Sequence, residues 1–179
     1  MSSLPSVASI LAKLAERGIV LLPGPVRVDG YGDSEALSEA LLALIRSGHK
    51  RAGTGLLWAY ELEADPLPKV GDLEVVIDHR EEPALVTRLT SVAIVPYCDV
   101  TAEYAAIEGE GDGSLAYWRN AHWAYFSREC QRIGREPAQT MPVLCCVFEL
   151  LNVVPRPAIA DDLLPPMARR CDADNKAMP

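Results

Sequence analysis

Two glycine-rich loops carry the residue types that acid–base chemistry needs. The first, GHKRAGTG (residues 48–55), sets Lys50 and Thr54 among Gly48, Gly53 and Gly55. Glycine lets backbone N–H groups approach a ligand and accepts positive φ. A lysine there works in one of two states. Protonated, it holds a phosphate or carboxylate as a point charge. Desolvated and neutral, it takes a proton from a hydroxyl such as that of Thr54. The plainer reading is a solvated cation at the negative end of a helix dipole, and from the loop alone that reading weighs more. The second loop, IEGEGDGS (107–114), offers Glu108, Glu110 and Asp112. A buried carboxylate in it can serve as acid or base. The plainer reading has Asp112 or Ser114 capping the next helix with both glutamates solvated, and it too weighs more from the loop alone.

Other residues compete for a role. Trp118, His122 and Trp123 lie within one helical pattern and can stack a base. Trp118 and His122 fall on its apolar stripe, which favours packing. Trp123 is one step off the stripe and is the better cleft candidate. Cys145 and Cys146 suggest a thiol nucleophile, but a strand apolar on both faces makes them inert core. Tyr60 and Ser127 are further polar groups without a spacing argument. His49, Lys50 and Arg51 form one small basic cluster; Arg128, Arg132 and Arg135 form a weaker one.

The totals bound what these residues can serve. The 179 residues make about one domain, long enough to bury a core without staples. Net charge is -8 and the pI is near 4.9. That excludes tight, sequence-independent binding to a long polynucleotide. The five cysteines are an odd number with no C-x-x-C pair, which indicates reduced thiols and a cytoplasmic protein. The three histidines are scattered, so neither a metal nor another cofactor is expected. No apolar run approaches the roughly 18 residues of a spanning helix, and the N-terminus reads as an amphipathic helix rather than a signal peptide.

The elements that must position the loops follow from periodicity. Residues 6–17 read as a helix on Val7, Ile10, Leu11 and Leu14. Extended chain and turns follow. A second helix, capped by Asp33 or Ser34, carries Leu37, Leu41, Leu44 and Ile45 on one face and stops at Gly48. GLLWAYELE, LEVVID and ALVTRLTSVAIVPY read as strands. A short helix leads into the second loop, and residues 114–134 form the clearest helix. MPVLCCVFELLNVV is a central strand. The expectation is an α+β domain with a mainly antiparallel or barrel-like sheet. Residues 155–179, rich in proline and charge, are expected to form a peripheral or disordered arm.

Several segments together resemble one family. YGDS before a helix, GHKRAGTGLLWAYE, PLPKVGD, AAIEGEGDGSLAYWRNAHWAYF and MPVLCCVFEL are similar in order and spacing to the ASCH domain proteins of the PUA-like superfamily. The resemblance divides the chain into an N-terminal segment at 1–30, an ASCH domain at 31–154 and an arm at 155–179. It implies a small PUA-like β-barrel flanked by helices, with the motif across the barrel's cleft. It also implies a choice of activities, since some members are amidohydrolases on N4-acetylcytidine and some are ribonucleases on single-stranded RNA. The amidohydrolase pattern of glycine, lysine, threonine and glutamate falls on Gly48, Lys50, Gly53 and Glu108. The threonine position is thus a glycine here, and Thr54 stands one residue later. One step along a strand flips the side chain to the other face, unless Gly53 and Gly55 permit a bulge.

The functional expectation is hydrolysis of an N4-acylated cytidine by catalytic Lys50, Thr54 and Glu108. Thr54 is the expected nucleophile, within hydrogen-bond reach of a neutral Lys50. Without that reach, Lys50 and Glu108 activate a water. Gly48, Arg51, Gly53, Gly55, Tyr60, Glu110 and Trp123 are the expected substrate contacts. The alternatives are an RNA-binding module or ribonuclease on short single-stranded RNA, and a non-catalytic ligand binder. No membrane partner is expected, and a homodimer is left open.

Overall fold

The computed structural model describes residues 4–156 apart from 22 and 65. The charged arm beyond residue 156, Cys171 included, lies outside the described residues. In chain order the elements are α1 (Val7–Glu16), β1 (Val26–Gly30), α2 (Glu35–Arg46), β2 (Ala52–Leu56), α3 (Leu57–Glu63), β3 (Leu73–Ile77), β4 (Pro83–Pro96), a 3-10 turn (Tyr97–Asp99), α4 (Ala102–Glu108), α5 (Leu115–Arg132) and β5 (Pro142–Val153). The strands form one sheet in the order β1-β3-β4-β5-β2. Among the described residues only the β1–β3 pair is parallel. The protein is an α+β domain built on a curled half-barrel.

The curl is visible in side-chain contacts. β1 and β2 are opposite edges of the sheet. Even so, the ring of Tyr31, just past β1, rests on Gly53 of β2, where a Cβ would stand 2.9 Å from its hydroxyl. Only a strongly curled sheet brings its edges that close. Gly53 registers with Cys146, so Tyr31, Gly53 and Cys146 share the concave face. Thr54 registers with Cys145 and faces the convex side, because successive side chains alternate.

Helices close both faces. α2 sets Leu42 and Ile45 against Val76, Leu85, Leu89 and Phe148. α1 sets Ile10 and Leu14 against Val75, Ile77 and Val86. α4 and α5 set Ala105, Trp118 and Phe126 against Leu56, Val143 and Cys145. Ser34 caps α2, Thr101 caps α4 and Ser114 caps α5, each accepting a backbone N–H three residues on. The long central strand expected at the C-terminal end is β5, flanked by β4 and β2.

One segment departs from its expected form. GLLWAYELE is not a strand: β2 ends at Leu56 and residues 57–63 coil into α3. Its alternating Trp58, Tyr60 and Leu62 mimic a strand. Leu, Ala and Glu are good helix formers, and a helical turn puts Trp58 and Ala59 together on the α5 side of the core. The 53–55 stretch is extended strand within β2. In α2, Leu37 is exposed and Leu42 is fully buried, because the concave face sits on the 38–41–42–45 stripe.

Gly109 locks the second loop onto the first. It ends α4 at φ +68°, and a Cβ there would overlap the His49 carbonyl oxygen. Gly113 has a similar φ of +72° but open space around it. Gly113→Ala then carries only the positive-φ cost, roughly 1–2 kcal/mol, and lowers Tm by about 2–8 °C. Gly109→Ala adds a backbone clash and lowers Tm further, which paired thermal melts of the two variants check.

Candidate active site

Three backbone hydrogen bonds fix the approach to Lys50. Lys50 N donates to Leu44 O at 3.0 Å, Arg51 N to Ile107 O at 3.0 Å and Phe148 N to Arg51 O at 2.9 Å. The first glycine loop is thereby tied to the end of α2, to α4 and to β5. Gly48, at φ +77°, ends α2 and turns the chain toward β2. The Lys50 side chain is then drawn inside, with 1% of it exposed. A solvated helix-end cation, the plainer reading of the loop, is not what forms.

Lys50 Nζ donates to two carboxylates, Glu108 Oε1 at 3.3 Å and Glu110 Oε1 at 2.6 Å. Glu108 is as buried as the lysine, while Glu110 keeps 17% exposure. The two glutamates are therefore not equivalent. Glu108 lies behind the amine and Glu110 lies between it and solvent.

Glu108 is held on every side. Its Oε2 accepts from Thr54 Oγ1 at 2.8 Å and from Trp118 Nε1 at 2.5 Å. Its Oε1 lies 3.5 Å from His122 Nε2. His122 stacks on Trp118 with ring centroids 4.2 Å apart, and its Nδ1 meets the Trp118 carbonyl at 3.0 Å. Burial pushes the Glu108 carboxyl up. The Lys50 charge and the His122 and Trp118 bonds pull it down further, and the net lies well below the usual carboxylate range. Glu108 is an anchored anion and a poor proton donor.

Thr54 does not bond to the lysine directly. Its hydroxyl meets Glu108 and lies 3.1 Å from the Tyr104 hydroxyl; Tyr104 in turn donates to the Gly53 carbonyl at 2.8 Å. A carboxylate thus stands between the Thr54 hydroxyl and the Lys50 amine. The one-residue offset has the consequence expected of a strand without a bulge, for β2 and β5 pair in continuous register from Ala52 to Leu56. Thr54 points to the convex side, and the concave position of the family threonine is Gly53. There the Tyr31 ring takes the space, with Lys50 Nζ 5.2 Å from its centroid.

The other expected contacts separate. Tyr60 lies over Gly55 as Tyr31 lies over Gly53. Arg51 is exposed at the mouth of a cleft of about 350 Å³ that Gly48, Lys50, Thr90 and Phe148 also line. Trp123 is half-buried, its ring packed on Tyr97 at 5.4 Å against the α5 core. The weak basic cluster is engaged in ion pairs, Arg128 with Asp33 at 2.6 Å, Arg132 with Glu129 and Glu63, and Arg135 with Glu61 at 3.8 Å. Burial pushes the Cys145 and Cys146 thiols up to about 12, so neither is a ready thiolate. Among the described residues no cluster of three metal-ligating side chains occurs.

The ASCH domain family model matches residues 28–152. The chain belongs to the ASCH domain family. A crystal structure of an ASCH domain from Lactobacillus crispatus JV V101 is 35% identical, covering 70% of this chain and 79% of its own, with a TM-score of 0.67. The crystal structure of protein EF3133 from Enterococcus faecalis V583 is 26% identical, covering 83% of this chain and 91% of its own, with a TM-score of 0.69. Among curated proteins no match is found. The ASCH domain is PUA-like, a class linked to RNA binding or hydrolysis. No helix among the described residues is long and apolar enough to cross a membrane.

Tyr31 and Tyr104 of this ASCH site lie outside the sequence-derived candidates, which include Trp118 and His122 only as base-stacking residues outweighed by packing. The last two are readable from sequence as a stacked i, i+4 pair on α5, but their spacing equally describes core packing, and they do both. The central ion pair yields two expected outcomes. Removing one partner of a buried pair costs roughly 3–5 kcal/mol, because it strands the other charge. Glu108→Leu therefore unfolds at markedly lower denaturant, and the double variant Lys50→Met/Glu108→Leu recovers part of that loss in a denaturant-melt cycle. The pH dependence follows from the low Glu108 pKa. Its stabilising contribution is full above the unfolded value near 4.5 and drains as pH falls below it. Stability measured from pH 5 down to 2 falls more steeply in the wild type than in Glu108→Gln.

Proposed function

We propose that this ASCH protein hydrolyses the amide of an N4-acylated cytidine, releasing cytidine and a carboxylic acid. The observation that supports it is the buried Lys50 amine held between an anchored carboxylate, Glu108, and a partly exposed one, Glu110. Such an arrangement moves protons without a metal.

A proton passes from Lys50 Nζ to Glu110 Oε1 along their 2.6 Å hydrogen bond. The neutral amine takes a proton from a water as that water's oxygen bonds to the acyl carbon. Protonated Glu110 gives its proton to the departing N4 nitrogen as the C–N bond breaks, since an exocyclic amine is a poor leaving group without one. Lys50 ends protonated and Glu110 ionised, as they began. Glu108 orients Nζ and compensates its charge. Thr54, through its 2.8 Å bond to Glu108, positions that carboxylate instead of attacking the substrate. The cleft beside Lys50 and Arg51 admits the acyl group.

Binding of RNA is the second reading within the family's range. Three observations weigh against it: the net charge of -8, the ion-paired arginines of α5 and a lysine whose charge two carboxylates already meet. Arg51 remains an exposed cation for a single phosphate.

Cytidine release from N4-acetylcytidine, followed by chromatography, tests the proposal. Lys50→Ala and Glu110→Gln each lower kcat by roughly 10²–10⁴-fold, the range for a lost general acid or base. Thr54→Val lowers it less, because no bond to the substrate is lost. A Thr54→Val variant as inactive as Lys50→Ala would restore the threonine to the role of nucleophile. No turnover by the wild type would move the reading to ligand or RNA binding.

A further inference from the structure

The cleft beside Lys50 is larger than an acetyl group needs. Its volume is about 350 Å³. At the roughly 30 Å³ that each water-sized group occupies, an acetyl group fills about 90 Å³. Ile45, Ile107, Val147, Phe148 and Leu150 give the cleft apolar walls. Such walls favour a chain of methylene groups over water.

Most polar groups around the cleft already have partners. Lys50 Nζ is shared between Glu108 and Glu110. Glu149 Oε1 accepts from Arg88 Nε at 2.8 Å and from its Nη2 at 2.6 Å. The Thr90 hydroxyl donates to the Val147 carbonyl at 3.2 Å. Of the charged residues lining the cleft, Arg51 alone has neither an ion pair nor a side-chain hydrogen bond among the described residues.

Strand register aims Arg51 at this space. Phe148 N donates to Arg51 O at 2.9 Å, which sets the two residues opposite each other, and opposite residues put their side chains on one face. Phe148 belongs to the cluster under α2, and Leu150, two residues on, packs against the same cluster. The Arg51 stem thus runs over apolar side chains while its guanidinium stays in water at the mouth. A guanidinium receives a planar carboxylate through two parallel N–H donors. A phosphate shares that chemistry, but the ribose that would carry it gains nothing from five apolar side chains.

We infer that the substrate's acyl group is that of a short dicarboxylic acid, of the succinyl or glutaryl class, with its methylene chain between the apolar walls and its far carboxylate on Arg51. A glutaryl group fills about 240 Å³ by the same count. Water adds to the amide carbon, the C–N bond breaks, and cytidine and the dicarboxylic acid leave, by the proton transfers given above. The inference rests on the hydrolytic reading, and binding tests it apart from turnover.

Two uncleavable ligands of equal chain length serve as probes, N4-(4-carboxybutyl)cytidine and N4-pentylcytidine, each titrated calorimetrically into the full chain. Wild type binds the carboxybutyl ligand roughly 10- to 100-fold tighter, the range for a hydrogen bond to a charged group, and the margin narrows as salt is added. Arg51→Gln, at an exposed position, melts like the wild type and abolishes the margin. Arg51→Lys keeps part of it, as a point charge without the fork. Cytidine 5′-monophosphate binds no tighter than cytidine. Equal affinity for the two probes, a margin that survives in Arg51→Gln, a gain for the monophosphate that Arg51→Gln removes, or no binding of either probe overturns the inference. Hydrolysis of N4-acetylcytidine that persists alongside any of these leaves the Lys50 chemistry standing and removes only the acyl assignment. A margin that holds while N4-glutarylcytidine stays uncleaved keeps the carboxylate site and removes the hydrolytic reading.

Discussion

A lysine and a glutamate buried together, each 1% exposed, constrain everything around them. Neither charge is tolerable alone in a low-dielectric interior, and the pair is tolerable only if its remaining hydrogen-bonding capacity is met. Lys50 needs Glu110 in addition to Glu108. Glu108 needs Thr54, Trp118 and His122. Those partners come from β2, the loop after α4, and α5. The ion pair thus dictates which elements converge, and Gly109, pressed on the His49 carbonyl, lets two chain segments meet closely enough to form it.

In the proposed hydrolysis the pair's surroundings matter because they are asymmetric. A saturated carboxylate on the inner side stays ionised and holds the amine in place. A partly exposed carboxylate on the outer side is the one the proposal assigns to proton exchange with substrate. The difference between Glu108 and Glu110 is one of burial and partners, not of residue type. Preorganised charge of this kind requires no rearrangement when a proton moves.

The curled sheet adds a second division of labour. Its convex face beside β2 is closed by α4 and α5 and holds the ion pair's supports. Its concave face is filled by α2 at one end and left polar at the other. Gly53 and Gly55 make the edge strand thin there, so that two tyrosines take the room that side chains would occupy. Lys50, just before β2, lies beside both faces, with Glu108 on one side and Tyr31 on the other.

Much of this was legible in the residues. Periodicity located α1, α2, α5 and the central β5, and ordered motif blocks gave the family. The glycine corners, with the resemblance, singled out Lys50 and Glu108. What the sequence by itself determined was which residue types stand where along the chain and which face of each helix is apolar, because both follow from local geometry. What only the tertiary structure decided was burial. It drew Lys50 and Glu108 inside, left Glu110 partly exposed, turned Thr54 away from the concave face and packed Trp123 against the core. It also coiled LWAYELE into a helix that a strand-like alternation had concealed. Those outcomes depend on how far the sheet curls and which segments meet across it. Solvation and long-range contact, rather than neighbours in the chain, set the role of a charged or aromatic side chain.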